Sequence, residues 1–541
     1  MSNDHSDREI LLEMRDLRIE GCGDDGWHEI VGGIGLRLAR GEVLGLIGES
    51  GAGKSTIGLA AMGYARGGCR ISGGEILFDG RDLRKLGDGE LRRLRGARIA
   101  YVAQSAAASF NPAHRLIDQY VEVAVRHGVK SEAEARREAV EIYRRLRLPE
   151  PEMIGERYPH QVSGGQLQRA MVAMAMACTP DLIIFDEPTT ALDVTTQIEV
   201  LAAVKDIVRD SGTAALYISH DLAVVAQLAD RIMVLRHGQM VEEGPTRDIL
   251  ENPKQEYTRR LLAVRAAAKA EEAGLDVLLR VHDVTAAYGG IIKVLDSVTI
   301  QVPRGRTVAV VGESGSGKST LARVICGLLP PLRGEILFKG KPMPAMLKHR
   351  NKDALRRIQL IYQMPDTALN PRQRVREILG RPLEFYLGLT GGERDARLKA
   401  LMEMIELGPA FLDRFPSELS GGQKQRICIA RALAAEPDLI ICDEVTSALD
   451  PLVAEGILKL LLRLQQELRV SYLFITHDIG TVRAIADDIV VMTRGRVVEQ
   501  GPKSQVLSQP QHSYTMKLLA SVPEMDPDWL DRQLAGRLTA A

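Results

Sequence analysis

The sequence predicts an α/β protein made of two similar domains in tandem, and three observations lead to this fold class. A glycine-rich segment, GESGAGKST at residues 48–56, follows an aliphatic run typical of a buried strand and precedes a helical pattern. A second such segment, GESGSGKST at residues 312–320, has the same flanks. Lys54 and Lys318 are 264 residues apart (318 − 54), so two halves of that length account for nearly all of the 541 residues.

Both segments fit the pattern GxxxxGK[ST], which has a specific chemistry. Backbone N–H groups of such a loop curl around phosphate oxygens, and the following helix points its positive end at them. The lysine reaches the terminal phosphates, and the next hydroxyl ligates Mg²⁺. The expected phosphate-binding residues are Gly48, Glu49, Ser50, Gly51, Ala52, Gly53, Lys54, Ser55 and Thr56, and then Gly312, Glu313, Ser314, Gly315, Ser316, Gly317, Lys318, Ser319 and Thr320.

The composition excludes several classes of protein. The net charge of −1 shows no bias toward nucleic acid, and we read the basic run at residues 91–98 as a solvated helix face. Six cysteines without a CxxC pair argue against a zinc or iron–sulfur site and fit a reducing compartment. The polar amino terminus is unlike a signal peptide. No apolar run approaches the ~18 residues of a membrane span, so membrane association would need a partner.

Strand-like segments come in matching pairs along the two halves. LLEMRDLRIE at 11–20 corresponds to LLRVHDVTAA at 278–287, and EILFDG at 75–80 corresponds to EILFKG at 335–340. These pairs predict the following division of the chain: a tail at 1–10, a domain at 11–262, a linker at 263–276, a second domain with a C-terminal extension at 277–523, and a tail at 524–541. For the charged, alanine-rich linker, a stable interdomain helix is the alternative.

A polar, helical segment follows a strand-ending glutamine in each half. Gln104 and Gln363 end strand-like pieces, and apolar residues then recur at three- and four-residue spacing, as at 132–148 and 396–408. We therefore expect a mostly helical subdomain inserted into each domain. Each insert ends at an SGGQ sequence, formed by Ser163, Gly164, Gly165 and Gln166 in the first half and by Ser420, Gly421, Gly422 and Gln423 in the second.

A fixed series of motifs follows each SGGQ. An alanine-rich helix leads to the strands LIIFDE and LIICDE, ALD follows at 191–193 and 448–450, and a further strand ends at a histidine. Each half then closes with a hairpin around a glycine turn. The offset between the halves is 257 residues for three pairs (420 − 163, 444 − 187 and 477 − 220): Ser163 and Ser420, Glu187 and Glu444, His220 and His477.

In this order, and present twice, the motifs resemble those of ABC-type ATPases over almost the whole chain. The resemblance implies two tandem P-loop NTPase domains, each a RecA-like α/β core with an antiparallel β subdomain and an inserted helical subdomain. It also implies ATP as the nucleotide and Mg²⁺ as the cofactor. In that family each ATP lies between the loop of one domain and the SGGQ of the other, so this chain resembles a covalently linked pseudo-dimer.

The resemblance assigns residues to two composite sites. One combines Lys54, Ser55, Gln104, Asp186, Glu187 and His220 with the SGGQ that begins at Ser420. The other combines Lys318, Ser319, Gln363, Asp443, Glu444 and His477 with the SGGQ that begins at Ser163.

These residue types suit phosphoryl transfer, which depends on positioning and charge neutralisation. The resemblance implies that Glu187 and Glu444 are general bases and that His220 and His477 contact the γ-phosphate. The implied Mg²⁺ ligands or contacts are Ser55, Gln104, Asp186, Ser319, Gln363 and Asp443.

Two positions depart from the pattern of the family. An aromatic ring usually stacks on adenine shortly before the loop, and Tyr288 is placed for this in the second half. The matching residue of the first half is Gly21, with Trp27 only a loose substitute, so we expect weaker nucleotide binding at the first loop. Val445 stands where the first half has Pro188, which alters a turn and not a catalytic group.

Finer features are similar to those of the ATPases of the oligopeptide, dipeptide and nickel importer family, with the two subunits fused. Both loops begin with GES, both post-glutamine segments contain Asn-Pro, and the halves end with NPKQEYTRRLL (252–262) and QPQHSYTMKLL (509–519). Many relatives carry a cysteine cluster in the C-terminal extension, and this sequence has none.

This resemblance implies two integral-membrane permease subunits and an extracytoplasmic solute-binding protein as partners, with no nucleic acid. It places the chain peripherally on the cytoplasmic face of the inner membrane, held there only by the permease. The solute stays open between a peptide, glutathione, an opine and a metal chelate, because nothing in this chain contacts it.

Two other classes remain as alternatives. A soluble twin ATPase acting on nucleic acid or ribosomes typically has a longer, basic arm between its halves, and DNA-repair relatives carry zinc cysteines. The short linker of mixed charge and the scattered cysteines argue against both. The third class is an accessory ATPase of a cytoplasmic enzyme complex, as in phosphonate breakdown.

Overall fold

The computed structural model describes residues 9–23, 26–189, 192–263, 269, 276–447 and 449–539. The chain forms two compact units, of which unit 1 comprises residues 1–263 and 523–541 and unit 2 comprises residues 264–522. Most of the predicted linker lies outside the described residues, as do Ala191 and Ala448 of the two ALD sequences.

The strands of unit 1 form two sheets. They are β1 (Ile10–Gly23), β2 (Gly26–Ala39), β3 (Val43–Gly48), β4 (Cys69–Phe78), β5 (Arg81–Asp82), β6 (Ile99–Val102), β7 (Leu182–Asp186), β8 (Ala214–Ile218), β9 (Arg231–Arg236) and β10 (Gln239–Pro245). The first sheet is antiparallel, with the order β2-β1-β4-β5. The second has the order β10-β9-β3-β8-β7-β6 and is parallel except for the β9–β10 hairpin.

The helices of unit 1 up to residue 263 are α1 (Lys54–Ala60), α2 (Asp88–Leu94), α3 (Ala106–Ser109), α4 (Leu116–Arg126), α5 (Glu132–Arg145), α6 (Pro151–Ile154), α7 (Gly164–Met176), α8 (Val194–Ser211), α9 (Leu222–Ala226), α10 (Thr246–Glu251) and α11 (Glu256–Ala263). Helices α3 to α7 lie between β6 and β7 in the chain, which confirms the predicted helical insert. Ser131 precedes α5 as its N-cap. The side chains of Ser131 and Glu134 each accept the other residue's backbone N–H in a capping box.

Unit 2 repeats both sheets. Its strands are β11 (Val277–Tyr288), β12 (Ile292–Pro303), β13 (Thr307–Val311), β14 (Arg333–Phe338), β15 (Lys341–Pro342), β16 (Ile358–Ile361), β17 (Leu439–Asp443), β18 (Ser471–Ile475), β19 (Asp488–Thr493) and β20 (Arg496–Pro502). The orders are β12-β11-β14-β15 and β16-β17-β18-β13-β19-β20, with the same strand directions as in unit 1.

The helices of unit 2 are α12 (Lys318–Ile325), α13 (Lys352–Arg357), α14 (Pro365–Ala368), α15 (Val375–Pro382), α16 (Gly391–Met404), α17 (Gly421–Leu433), α18 (Pro451–Leu468), α19 (Ile479–Ile485), α20 (Lys503–Ser508) and α21 (Ser513–Ala520). Helices α14 to α17 form the second insert, between β16 and β17. Within the described part of the chain, no helix has the length and apolar character that crossing a membrane requires.

The parallel sheets position the candidate site. Strands β3 and β13 are central, and β13 is completely buried, as expected for Val-rich strands covered on both faces. The carboxyl ends of parallel strands meet at one edge of a sheet, where ligands bind in open α/β folds. The loops that follow β3, β7 and β8 therefore converge in unit 1, and their counterparts converge in unit 2. The predicted fold class, with its antiparallel sheets and helical inserts, is confirmed.

The last helix, α22 (Trp529–Thr539), belongs to unit 1, although the chain reaches it from unit 2. Trp529 is 3% exposed and Leu530 is fully buried. The sequence predicts a tail at 524–541, and the structure forms a packed helix in this segment because these two apolar side chains find a buried site.

Gln227, at the end of α9, holds the segment that leads into α22. Its side-chain NH₂ group donates to the carbonyl oxygens of Glu524 (2.8 Å) and Asp526 (3.1 Å). Its side-chain oxygen accepts from the N–H of Leu530 at 3.0 Å. One buried amide thus satisfies three backbone groups of the C-terminal segment, which is how buried polar groups are normally accommodated.

Candidate active site

Each glycine-rich loop connects a central strand to a helix. In unit 2 the loop joins β13 to α12, and the cap residue Gly317 has φ 102°, a left-handed conformation that favours glycine. A Cβ atom on Gly312 would lie 2.1 Å from the carbonyl oxygen of Met492, so β19 leaves no room for a side chain there. The spacing of glycines in the motif therefore follows from the backbone that the loop adopts.

The lysine of each loop is buried and held by the loop itself. Lys318 Nζ donates to the carbonyl oxygens of Gly312 and Glu313, both at 2.8 Å. Lys54 makes the same two bonds in unit 1, at 2.7 and 2.9 Å. Both units thus place a positive charge on the loop, where phosphate oxygens are expected.

A serine–aspartate pair lies beside each lysine. Ser319 Oγ donates to Asp443 Oδ1 at 2.9 Å, and Ser55 donates to Asp186 Oδ1 at 2.8 Å. Burial raises the pKa of Asp443, so its carboxylate gains from a nearby cation. Adjacent hydroxyl and carboxylate oxygens are hard ligands, and Mg²⁺ binds few protein oxygens while keeping several waters. The pair therefore fits Mg²⁺ in each unit.

A glutamate, a glutamine and a histidine form the next cluster. Glu444 Oε2 accepts from Gln363 Nε2 at 2.7 Å, and Glu444 Oε1 lies 3.3 Å from His477 Nδ1. Glu187 makes the same contacts in unit 1, at 3.1 and 3.2 Å. Burial raises the pKa of Glu444, but the hydrogen bond and charge of His477 outweigh it, so the pKa is lowered. Burial lowers the pKa of His477, but the hydrogen bond and charge of Glu444 outweigh it, so this pKa is raised. The carboxylate is thus kept ionised.

Both glutamates have a strained backbone. Their φ angles are 49° for Glu187 and 50° for Glu444, in the left-handed region that non-glycine residues rarely adopt. Each N–H donates to the end of the neighbouring strand, at Ile218 and Ile475 respectively, at 2.9 Å. Strain of this kind costs about 1–3 kcal/mol and is concentrated at functional sites.

The SGGQ sequences begin helices α7 and α17. Ser420 Oγ accepts from the Gln423 N–H, and the Gln423 side chain accepts from the Ser420 N–H; Ser163 and Gln166 do the same in unit 1. A Cβ atom on the second glycine would meet α8 or α18, at 2.0 Å from Thr196 in unit 1. The motif is therefore a capping box at a closely packed helix start.

Within each unit, the structure brings together the loop, the serine–aspartate pair and the glutamate cluster. Among the hydrogen bonds of the described residues, none connects an SGGQ sequence to these groups in the same unit. The aspartates of the ALD sequences, Asp193 and Asp450, cap α8 and α18 by accepting backbone N–H groups at 3.0 Å. An aspartate directly before a helical pattern is the signal that indicates this role.

Tyr101 of β6 is a contact that the sequence analysis missed. Its hydroxyl donates to Asp186 Oδ2 at 2.6 Å, so both carboxylate oxygens are held in unit 1. The matching residue of unit 2, three positions before the glutamine, is Leu360, which has no hydroxyl. Burial and the charge of Asp186 raise the pKa of Tyr101, so it keeps its proton and donates. Only the adjacency of β6 and β7 in the sheet reveals this contact.

Tyr288 lies at the end of β11, next to the helix of the second loop. Its hydroxyl accepts from Arg323 Nη1 at 2.9 Å and lies 3.4 Å from Thr320 Oγ1. The ring is 37% exposed. Tyr288 pairs with Ile292 across its hairpin, and Gly21 pairs with His28 at the same place in the hairpin of unit 1.

Trp27 occupies a different place in the first hairpin. It pairs with Cys22, and the guanidinium of Arg70 lies 4.1 Å from the centre of its ring. One face of its ring is thus occupied by a cation of its own sheet, while the side chain stays 45% exposed. Gly21 provides no ring, so the two units differ where an adenine ring is expected.

A parallel sheet that carries a lysine loop, a serine–aspartate pair and a glutamate–histidine pair defines the class of P-loop nucleotide hydrolases. The family model described as ABC transporter matches residues 31–190 and 295–447. The model described as oligopeptide/dipeptide transporter, C-terminal region, matches residues 241–280 and 498–541. The chain belongs to the ABC transporter family, with this C-terminal region, and it is a nucleotide-binding ATPase.

The chain is similar over nearly its whole length to curated relatives. It is 38% identical to the glutathione import ATP-binding protein GsiA of Salmonella paratyphi A, over 97% of this chain and 92% of that protein. It is also 38% identical to the peptidoglycan transport ATP-binding protein YejF of Agrobacterium fabrum, over 94% of this chain and 96% of that protein. Identity to GsiA of Escherichia coli K12 is 36%, over 97% of this chain and 91% of that protein.

Proposed function

We propose that this chain is the ATPase subunit that powers a membrane importer for peptides or similar small solutes. The observation that carries the proposal is the presence of a complete set of hydrolytic groups in each unit, together with the C-terminal region of oligopeptide/dipeptide transporters. The relatives named for glutathione import and peptidoglycan transport support a solute that contains peptide bonds.

We infer that two composite ATP sites form within one chain. The loop of each unit would bind the phosphates of one ATP, and the SGGQ of the other unit would close over them. The position of each SGGQ at a helix start supports this, because a helix start is a natural anion site.

Within each site, the chain's own residues would perform distinct steps. Lys54 and Lys318 neutralise the terminal phosphates, and Glu187 and Glu444 take a proton from the attacking water. An ionised glutamate suits this role, and the nearby histidine orients it and contacts the γ-phosphate. Mg²⁺, held by the serine–aspartate pairs, would supply charge neutralisation for phosphoryl transfer.

The helical inserts would transmit closure to a permease. Gln104 and Gln363 each stand where an insert begins and contact the glutamate of their unit. A change at the glutamate would therefore reach the insert through one hydrogen bond. Two permease subunits would hold the chain peripherally at the cytoplasmic face of the inner membrane, with a solute-binding protein on the other side.

Affinity purification of the tagged chain from native membranes tests this function. We expect integral-membrane permease subunits to be the main stoichiometric partners. They should be missing from a parallel purification that omits the membranes. Recovery of ribosomes or nucleic acid instead would support a soluble twin ATPase. Recovery of a soluble enzyme complex would support the accessory role, and either result would reject the import function.

The two loops are expected to bind ATP with different affinities. In a Lys54→Ala variant only the second loop binds well, and in a Lys318→Ala variant only the first does. A missing stacking ring costs about 1 kcal/mol, so we expect ATP to bind the first loop about fivefold more weakly. Titration with a fluorescent ATP analogue measures both affinities.

The control for this comparison is Tyr288→Leu in the Lys54→Ala background, which should remove most of the difference. Equal affinities in the two single-loop variants, before that change, would contradict the assigned role of Tyr288.

A further inference from the structure

The C-terminal region of each unit carries a tyrosine at the same place. Tyr257 lies in the first turn of α11, and Tyr514 lies in the first turn of α21. They are 257 residues apart (514 − 257), the same offset as between the hydrolytic glutamates. The family model for the C-terminal region includes both positions, but the ATPase and import functions leave them without a role.

In unit 2, this tyrosine contacts the phosphate-binding loop. The hydroxyl oxygen of Tyr514 accepts from the backbone N–H of Glu313 at 2.9 Å. The carbonyl oxygen of the same residue accepts from Lys318 Nζ at 2.8 Å. The backbone of Glu313 is therefore held by Tyr514 through its N–H group, and it holds Lys318 through its carbonyl oxygen.

Hydrogen bonds anchor the start of the helix that carries Tyr514. Glu499 of β20 accepts the N–H groups of Gln511 (2.8 Å) and His512 (3.1 Å), which fixes the turn before α21. His512 Nδ1 then accepts the N–H of Tyr514 at 3.1 Å, as the cap of the helix. The ring thus reaches the loop from a helix start that is anchored to the sheet.

Unit 1 repeats the turn and the tyrosine but not the hydrogen bond to the loop. Glu242 of β10 accepts the N–H groups of Lys254 (2.7 Å) and Gln255 (3.1 Å). Tyr257 is buried, with the guanidinium of Arg236 4.9 Å from its ring centre. Burial raises the pKa of Tyr257. Its hydroxyl oxygen has no hydrogen-bond partner among the described residues, so the bond that Tyr514 makes to the loop of unit 2 has no counterpart there.

We propose that Tyr514 is a positioning residue for the phosphate-binding loop of unit 2, so that the C-terminal region of this unit is a structural part of its ATP site. The tyrosine hydroxyl fixes the second residue of the loop, and this residue's carbonyl oxygen in turn positions the lysine. The proposal rests on the ATPase activity and is independent of import.

The expected consequence concerns nucleotide affinity. Without the hydroxyl, the N–H of Glu313 loses its acceptor, and the loop must rearrange to regain one. The lysine contacts phosphate both in the ground state and in the transition state. A displaced lysine therefore weakens the binding of both states, so KM changes more than kcat. We expect Tyr514→Phe to weaken ATP binding at the second loop about tenfold, which corresponds to about 1.4 kcal/mol.

The test measures ATP affinity in the Lys54→Ala background, where only the second loop binds well. Tyr514→Phe should weaken the fluorescent-analogue affinity about tenfold, whereas Tyr257→Phe in the same background should change it less than about twofold. In the Lys318→Ala background, where only the first loop binds well, neither substitution should change the affinity more than about twofold. Tyr386→Phe, on a helix of the insert, serves as a control for tyrosine replacement in general.

The melting temperature without nucleotide separates positioning from folding. We expect the melting temperature without nucleotide to stay unchanged in both tyrosine variants. The rise in melting temperature on adding ATP should become smaller in Tyr514→Phe. A lower melting temperature with unchanged ATP affinity would assign the hydroxyl to folding and overturn the proposal. Equal effects of both substitutions on the second loop, or no effect of Tyr514→Phe there, would also overturn it. Because no permease enters the measurement, these results are separate from those that test import.

Discussion

The double variant Glu187→Gln, Glu444→Gln is expected to bind ATP but to hydrolyse it at less than about 1% of the wild-type rate, because a positioned general base contributes about 10²–10⁴-fold. Glutamine keeps the size of the side chain and can still contact the histidine and the glutamine of each cluster. It cannot accept a proton from water. The loops and lysines are unchanged, so nucleotide affinity should be retained.

Phosphate release and ATP binding should be measured on the same preparation. The double variant Glu122→Gln, Glu455→Gln, which changes glutamates on helices away from both loops, is the matched control and should keep full activity. Wild-type turnover from the Glu187→Gln, Glu444→Gln protein would reject the assignment of these glutamates as bases.

The pairing of loops with SGGQ sequences gives a second large effect. In the Glu187→Gln, Glu444→Gln background, ATP should stay occluded in both closed sites. Adding Lys54→Ala and Ser420→Arg damages the two halves of one proposed composite site, so about one nucleotide per chain should remain occluded. Adding Lys54→Ala and Ser163→Arg damages one half of each site, so occlusion should be almost abolished.

Counting the ATP that survives rapid gel filtration measures this difference. Both combinations contain one lysine and one serine change, so each is the other's control for general loss of structure. If each SGGQ acted on the loop of its own unit, the outcomes would be reversed. Equal loss from both combinations would also contradict the composite arrangement.

Much of the candidate site follows from local sequence, because its chemistry depends on short segments. The glycines of each loop reflect backbone requirements, such as the close approach of Met492 to Gly312. Residues that end buried parallel strands must meet at one sheet edge, so Asp186, Glu187 and their counterparts could be predicted as neighbours of the loops. The constant offset of 257 residues gave the second set of positions from the first.

Contacts between segments distant in sequence could not be predicted in this way. The hydroxyl of Tyr101 reaches Asp186 because β6 and β7 are neighbours in the sheet, although 85 residues separate the two side chains. Sequence periodicity indicates that a strand is buried but not which strand lies beside it. The Tyr514 bond to Glu313 spans 201 residues and depends on the same kind of information.

The amino-acid sequence by itself determined the class of protein and the duplication, and it predicted the candidate phosphate-binding and hydrolytic residues, because each of these depends on a local pattern. Only the tertiary structure decided that α22 folds into unit 1 around Gln227 and that Tyr514 reaches the second loop. Burial and hydrogen bonding between distant segments are properties of the packed chain, since their free energy arises only when both partners are brought together.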